Sequence, residues 1–560
     1  MPNILTHFPE NFQPRLLQEK ILEDIESKIT SGYRTIILSA PTGVGKSLVA
    51  ATVAKYFGRS FIVTASKHLQ DQYSQELSFL KPVKGKSNFP CLKLMEREKI
   101  NENDFETAVK RELTCEKGLC EETVTKNKKK IKEICKFKPK ITDFEDNIPT
   151  ENKCQYYVQK FLGLISDHSV WNYSSYFQLM KFNKNTFSDY IDRPVAIFDE
   201  AHKIEDQIIQ FIGIDISSKH IAECGIDIKH YDLNDIDLII KLLDDLAESY
   251  SKQLKDMEQN TTLNSASDCA RIKKLEDKYN RMADARVEIL SNKDNFVINE
   301  PQNDENEFFK SISIKPLDIS KYVESYFDIP NRIFMSATID KESFCENTGI
   351  KQSEVAFIDA PISPFLLENR KINFLNISQL SLKSNLDDEM AVSKKIDEIL
   401  TKHSDQKGLI LTSSKARCYN IINQISSQNK KRIRICHTSN QNGKTQDQIL
   451  KEHSEDGDGV LLSSSLWEGV DLKDDLSRFQ IIAKTPYPNL SDKRVKTKMK
   501  KFPLWYKSQT IMKLLQGFGR SIRSENDWAV TYVLDSSALT ILNQYKTMVP
   551  KAYYDVLGWK

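Results

Sequence analysis

The chain has 560 residues, with 80 lysines and arginines against 78 aspartates and glutamates, for a formal net charge of +2. That balance excludes a protein held on nucleic acid by its overall field, so any such contact must come from local basic patches. Apolar residues make up 39%, no uninterrupted apolar run nears the ~18 residues that span a bilayer, and the opening MPNILTHFPENFQPR has no basic stretch leading into an apolar one, so a large cytoplasmic protein with no membrane contact is expected. At roughly 150 residues per domain the length suits three or four domains.

Leu16, Leu17, Ile21 and Ile25 recur at helical spacing within residues 8–25, so a surface helix is expected there, with Gln18 a candidate adenine contact. Thr35 to Ser39 then reads as a buried strand running into Pro41-Thr42-Gly43-Val44-Gly45, with a helix opening near Lys46. The glycines allow successive N–H groups to point at a polyphosphate lying on the positive end of that helix. Lys46 is suited to the β- and γ-phosphates and the Ser47 hydroxyl to magnesium. Ala40 stands where the usual G-x-x-x-x-G-K-[ST] pattern has its first glycine, and Pro41-Thr42-Gly43 still supplies the turn. Ser60 to Ala65 is a second strand followed by a helix at Lys67 to Tyr73, which makes Thr64 and Gln72 candidates for touching a nucleic-acid backbone beyond the strand end.

From Lys84 to Asp167 the composition changes: strands are not expected, lysine and glutamate rise, and the stretch reads as an inserted domain. Five of the ten cysteines fall there, Cys91, Cys115, Cys120, Cys135 and Cys154. In a reducing compartment that crowding points away from disulfides and towards a metal or cluster site, and the irregular spacing suits iron–sulfur better than the paired C-x-x-C of zinc. The lysine run from Lys126 to Lys132 is expected to be a solvated helix face. Trp171, Tyr173 and Tyr176 are either core or a base-stacking platform.

Residues 194–202, PVAIFDEAH, form another buried strand ending in carboxylates. Asp199 would hold magnesium through water, and Glu200 would orient and deprotonate an attacking water, with His202 completing the motif. Residues 216–316 are read as a second, largely helical insertion. Arg332 to Thr338 is a strand ending in Ser336 and Thr338, which could couple nucleotide state to a second lobe. Prolines near residues 360–365 mark a boundary. A new α/β series follows, with strands at 408–413, 433–437, 460–465, 479–485 and 529–534. Its Trp467-Glu-Gly-Val-Asp-Leu472 loop offers Gly469 and Asp471 to a nucleotide or to the partner lobe. Its Gln516-Gly-Phe-Gly-Arg-Ser-Ile-Arg523 segment carries Arg520 and Arg523, three apart and so expected on one helical face towards a nucleotide cleft, where they would stabilise transferring phosphoryl charge. Gly517 and Gly519 would permit close approach.

Taken together, the APTGVGKS loop, the strand ending in Thr64, DEAH, Ser336-Ala-Thr338, Trp467-Glu-Gly-Val-Asp471 and the Q-x-x-G-R-x-x-R pattern at Gln516 to Arg523 resemble the iron–sulfur superfamily 2 DNA helicases of the XPD and DinG type. The resemblance covers nearly the whole chain in order and spacing, and Ser336-Ala-Thr is closer to DinG-like members. It implies an α/β protein of two RecA-like P-loop motor domains, with a cluster domain and a helical arch domain inserted in the first. The boundaries expected are motor domain 1 at 1–84, 168–215 and 321–362, the cluster domain at 85–167, the arch at 216–320 and motor domain 2 at 363–560. It implies ATP, Mg2+ and a 4Fe-4S cluster as cofactors. The cluster would be held by Cys91, Cys115, Cys120 and Cys154, with Cys135 spare, because Gly85-Lys-Ser-Asn-Phe-Pro-Cys91 and Cys154-Gln-Tyr-Tyr resemble the family's first and last cluster segments. It further implies a monomer that moves 5′ to 3′ on single-stranded DNA and unwinds forked or tailed duplexes in DNA repair or replication-associated processing. The alternatives are an ATP-driven translocase or remodeller that does not unwind, and a non-catalytic cluster scaffold. The joint presence of Glu200 and the arginine pair argues against the scaffold.

Overall fold

The computed structural model describes residues 3–126, 129–144, 151–260, 265–304, 308–380, 384–437, 444–522 and 526–559. A parallel sheet covered on both faces needs strands that are apolar throughout, and Thr35–Ser39, Ser60–Thr64 and Val195–Phe198 are buried at every position. They belong to a seven-stranded parallel sheet. From edge to edge its order is Val355–Asp359, Thr35–Ser39, Asn331–Ser336, Val195–Phe198, Ser60–Thr64, His168–Asn172 and Lys81–Val83. Alternate side chains feed two cores. Ile36 and Leu38 pack with Val49 and Val53 of the helix Lys46–Phe57, while Ile37 faces the core of Phe198, Tyr176 and Phe334.

The second lobe repeats the design with a six-stranded parallel sheet. Its order is Ile372–Ser378, Val530–Asp535, Phe479–Ile482, Gly408–Leu411, Val460–Ser463 and Ile433–Ile435. The first of these strands, and His168–Asn172, Lys81–Val83 and Val355–Asp359 in the first lobe, are additional to the strands read from the sequence.

Both insertions are crossovers between neighbouring strands of the first sheet. One joins Lys81–Val83 to His168–Asn172, and the other joins Val195–Phe198 to Asn331–Ser336. The first is not free of strands: Glu121–Lys126 and Lys129–Ile134 form an antiparallel hairpin. The lysine run expected on a helix face therefore lies on a β-ribbon, with residues 127 and 128 outside the described residues. Thr-Val-Thr and Lys-Ile-Lys alternate polar with apolar residues, which favours that geometry. The second insertion pairs two long helices, Ile236–Asn260 and Ala266–Ser291. It also contains strands that the helical reading omitted, since Phe309–Pro316 pairs antiparallel with Ile214–Ser217, Phe296–Ile298 and Gln302–Asn303. The two insertions share one core, in which Leu92, Leu94 and Met95 pack with Ala266, Cys269 and Ile272. Glu98 also accepts from the Ala266 N–H at 2.8 Å, at the start of the second long helix. No helix among the described residues is long and apolar enough to cross a membrane.

Candidate active site between the two lobes

The phosphate loop is built as its composition requires. Gly43 and Gly45 take φ of +84° and +81°, a left-handed backbone that other residues adopt only with strain, and Gly45 caps the helix that begins at Lys46. The Phe365 ring from the interlobe connection lies where a Cβ on residue 43 would be, at 2.4 Å, so the loop has no room there for a larger residue. Pro41 and Val44 are buried, whereas Thr42 and Ser47 stay partly exposed. Lys46 Nζ donates to the Ala40 carbonyl at 3.2 Å. Gln18 is buried above the loop, its Nε2 donating to the Gly45 carbonyl at 3.4 Å, and Arg15 donates to the Gly43 carbonyl at 3.0 Å. Both residues brace the loop, and Gln18 Oε1 also accepts from the Arg15 N–H at 2.9 Å.

Two strands away, at the same edge of the sheet, Val195–Phe198 delivers Asp199 and Glu200. Tyr73 donates to Asp199 Oδ2 at 3.0 Å and the Glu200 N–H to Asp199 Oδ1 at 2.9 Å. Burial, and then the adjacent Glu200, push the Asp199 carboxyl up to about 6, against the pull of Lys46. Burial also opposes the Glu200 carboxylate, but His202, Lys46 and Lys203 outweigh it and hold its carboxyl below the usual value. Glu200 itself sits at φ +53°. A carboxylate kept charged beside a phosphate loop is suited to accepting a proton from water, and the Asp199 carboxylate and the Ser47 hydroxyl are oxygen donors of the kind a hard cation such as magnesium takes.

His202 joins the lobes. Its ring shares a hydrogen bond of 2.8 Å with Ser336 Oγ, lies 3.3 Å from Glu200, and reaches Glu468 of the second lobe at 3.9 Å. Lys203 pairs with Glu468 at 3.0 Å. Burial disfavours the Glu468 carboxylate, yet His202 and Lys203 hold its carboxyl well below its ordinary range. Gln516, on the helix Pro503–Phe518 of the second lobe, donates to Thr338 Oγ1 at 3.1 Å. Gly517 in the same helix lets the Trp467 ring come within 3.0 Å of where a Cβ would stand. Of these residues His202, Thr338, Glu468 and Gln516 line an interlobe cavity of about 240 Å3.

The helix that carries Gln516 ends at Phe518, so Arg520 lies beyond it, and Arg523 lies outside the described residues. Glycines at 517 and 519 weaken the helix at that point. Arg520 Nη1 donates to the Val470 carbonyl at 2.7 Å, which ties it to the loop bearing the exposed Gly469 and Asp471. Thr64 is buried with its hydroxyl donated to the Ser66 carbonyl, so it is not presented at the surface, and Gln72 donates to Glu76. Trp171, Tyr173 and Tyr176 are core.

One constellation was not anticipated from the sequence. Glu205, buried at the start of the helix Ile204–Ile212, accepts from Arg494 at 2.5 Å, Lys498 at 2.6 Å and the Trp505 indole at 2.6 Å, all from the second lobe. Lys493–Lys501 looks like a charged surface helix, and only the partner nearly 300 positions away explains its buried cations. Arg494 also donates to the Pro316 carbonyl at 2.6 Å, linking the second insertion to the same hub.

In the first insertion, all five cysteines line one cavity. Cys91 and Cys115 are buried, and Cys115 Sγ lies 3.6 Å from Cys154 Sγ. No room remains for a side chain at Gly118, whose Cβ would meet Cys91 Sγ at 2.5 Å. Among the described residues no group of three or more His, Cys, Asp or Glu is arranged to hold a single metal ion. Thiols gathered from four separate segments around one cavity are a donor set that fits a sulfur-ligated iron cluster.

Two family models match the chain: "Type III restriction enzyme, res subunit" over residues 11–227 and "Helicase C-terminal domain" over residues 397–555. The chain is 23% identical over 598 residues to the ATP-dependent DNA helicase YoaA of Escherichia coli K12, covering 94% of this chain and 92% of that protein. It is 21% identical over 607 residues to the protein of the same name from Haemophilus influenzae, with coverages of 94% and 91%. Among solved structures it resembles an XPD helicase with a TM-score of 0.59 at 15% identity, covering 96% of this chain and 98% of that one. It also resembles Xpd4 of S. tokodaii, with a TM-score of 0.55 at 14% identity and 98% coverage of both. At these identities the structural likeness speaks for the fold.

Proposed function

We propose that this chain is a superfamily 2 helicase of the XPD/DinG type, a reading supported by its similarity to ATP-dependent DNA helicases and by its fold, and that it hydrolyses ATP to move 5′ to 3′ along single-stranded DNA and to separate tailed or forked duplexes. The observation that carries this reading is His202, which contacts Glu200 and Ser336 in the first lobe and faces Glu468 of the second. A hydrolytic carboxylate wired to the opposite lobe is what converts a change at a phosphate into relative motion of two domains.

In this mechanism the helix N-terminus after Gly45 and the Lys46 ammonium neutralise the β- and γ-phosphates. Glu200 orients the attacking water and takes its proton. Ser47 and Asp199 would hold magnesium, which supplies charge neutralisation to the phosphates when bound. Gln516 and Arg520, and Arg523 beyond the described residues, act from the second lobe. Cys91, Cys115 and Cys154, with a fourth thiol, would hold a 4Fe-4S cluster that stiffens the first insertion. The cluster insertion, 85–167, and the helical arch, 216–320, then frame the strand and provide a rigid body at the duplex junction.

Two measurements test the reading. Lys46→Ala and Glu200→Gln should each abolish DNA-stimulated ATP hydrolysis, with Glu200→Gln still binding ATP; activity within a few-fold of wild type in either removes the active-site assignment. Fluorescent strand displacement should proceed from 5′-tailed duplexes and not from 3′-tailed or blunt ones. ATP hydrolysis without displacement from any substrate would support a translocase that remodels protein–DNA complexes.

A further inference from the structure

The first insertion offers five thiols to a cluster that takes four, and the five are not equivalent. Cys91, Cys115 and Cys154 come from three separate places: the residue before the helix Leu92–Arg97, the turn after Leu113, and the cap of the helix Gln155–Ile165. Each is the one cavity-lining thiol of its segment. Cys120 and Cys135 are instead a pair. The hairpin register matches Glu121 with Ile134, so one step towards its base it sets Cys120 directly opposite Cys135. The Cys135 N–H donates to the Cys120 carbonyl at 2.9 Å, so the two backbones stay laced at that step. Directly opposed residues of an antiparallel pair present their side chains on the same face, with Cβ atoms about 4.5–5.5 Å apart. If one of these thiols faces the cavity, the other must too, and both line it. Both are partly exposed, as is Cys154, whereas Cys91 and Cys115 are buried.

We propose that the fourth corner of the cluster is served interchangeably by Cys120 and Cys135, which makes the site a three-plus-two thiol set with a reserve ligand built into the base of the hairpin. The proposal rests on the cluster reading above. Exchange is a substitution without change of oxidation state: the incoming thiol gives up its proton and forms an iron–sulfur bond, while the departing thiolate leaves its iron and takes up a proton. The hairpin need not open, because the two sulfurs start on the same face. A cluster so held survives loss or alkylation of one of the two ligands.

The test uses the full chain, purified anaerobically, as wild type, Cys120→Ala, Cys135→Ala, the double variant and Cys154→Ala. Iron, acid-labile sulfide and visible absorption are measured for each. Both single variants at 120 and 135 should keep the wild-type content, whereas the double variant and Cys154→Ala lose it. Loss of the cluster in either single variant, or its retention in the double variant, overturns the proposal. A wild-type protein without iron and sulfide defeats the cluster reading itself, which is a separate outcome. Because an alanine variant can fail by misfolding, the native wild-type holoprotein is also alkylated and mapped. Label divided between Cys120 and Cys135 supports exchange, and label confined to one of them overturns it.

Discussion

Glu205 shows how much one side chain contributes to the contact between the lobes. Burial works against its charge, but Lys498 and Arg494 beside it bring the carboxyl from an ordinary 4.5 down to about 2. The same carboxylate is shared by two cations, and burial together with Arg494 pushes the Lys498 ammonium below its usual value. Removing the shared partner leaves both cations buried and uncompensated, so Glu205→Ala should cost about 3–5 kcal/mol and lower the melting temperature by several degrees. A depressed carboxyl stabilises the fold fully above its unfolded value and loses that contribution as pH falls towards its folded one. The shift corresponds to on the order of 3 kcal/mol, lost between about pH 4.5 and pH 2. Thermal unfolding of wild type and Glu205→Gln across this range should show a steep acid limb only in the wild type. Equal slopes would mean that the carboxylate is not the group being titrated.

At the scale of one element, the helix Pro503–Phe518 carries the contact of the second lobe with the first. Gln516 reaches Thr338, Ser508 reaches Asp340, and Trp505 reaches Glu205. Its opposite face packs on Trp467, whose indole N–H donates to the Thr412 carbonyl at 3.1 Å. Gly517 is where that face comes closest, so Gly517→Val should push the ring out and cost about 1–3 kcal/mol by overpacking. The displaced Trp467 carries Glu468 with it, so ATP turnover should fall more than the melting temperature predicts. Unchanged turnover with the expected loss of stability would confine Trp467 to a packing role. Loss of the Gln516–Thr338 hydrogen bond alone, in Gln516→Ala, should cost only about 1 kcal/mol of interlobe contact.

For the whole molecule, the two insertions do not fold as separate units. The apolar residues of 85–167 are too few for a core of their own, and Ala266, Cys269 and Ile272 of the second insertion complete it, with Leu254 and Met257 packed alongside. Loss of the proposed cluster should therefore be felt beyond the cysteines. In Cys91→Ser, amide hydrogen exchange should accelerate along residues 250–272 as well as 85–160, while the strands of the first sheet keep their protection. ATP hydrolysis should largely persist and strand displacement should fail. Exchange confined to residues 85–160, or undiminished displacement, would show that the insertions move independently.

Strands whose central residues are all apolar, the glycines before Lys46, and the carboxylates ending Val195–Phe198 were determined by the sequence alone. Each depends on local chemistry: burial on both sheet faces, a left-handed turn, and a charge placed at a strand end. The crowding of cysteines was equally visible, because it is a property of composition. What the tertiary structure decided depends on pairing across distance. Edge strands as short as Lys81–Val83 carry too little pattern to stand out without their neighbours, and the ribbon through the lysine run was hidden by a charge density that suits a helix equally well. The end of the helix at Phe518, before Arg520, shows only in the structure, although the glycines on either side of Phe518 weaken the helix there. Glu205 and its two cations could not be matched from sequence, since each is an ordinary surface residue by type. Only the closing of one lobe on the other removes the water that would otherwise make them so.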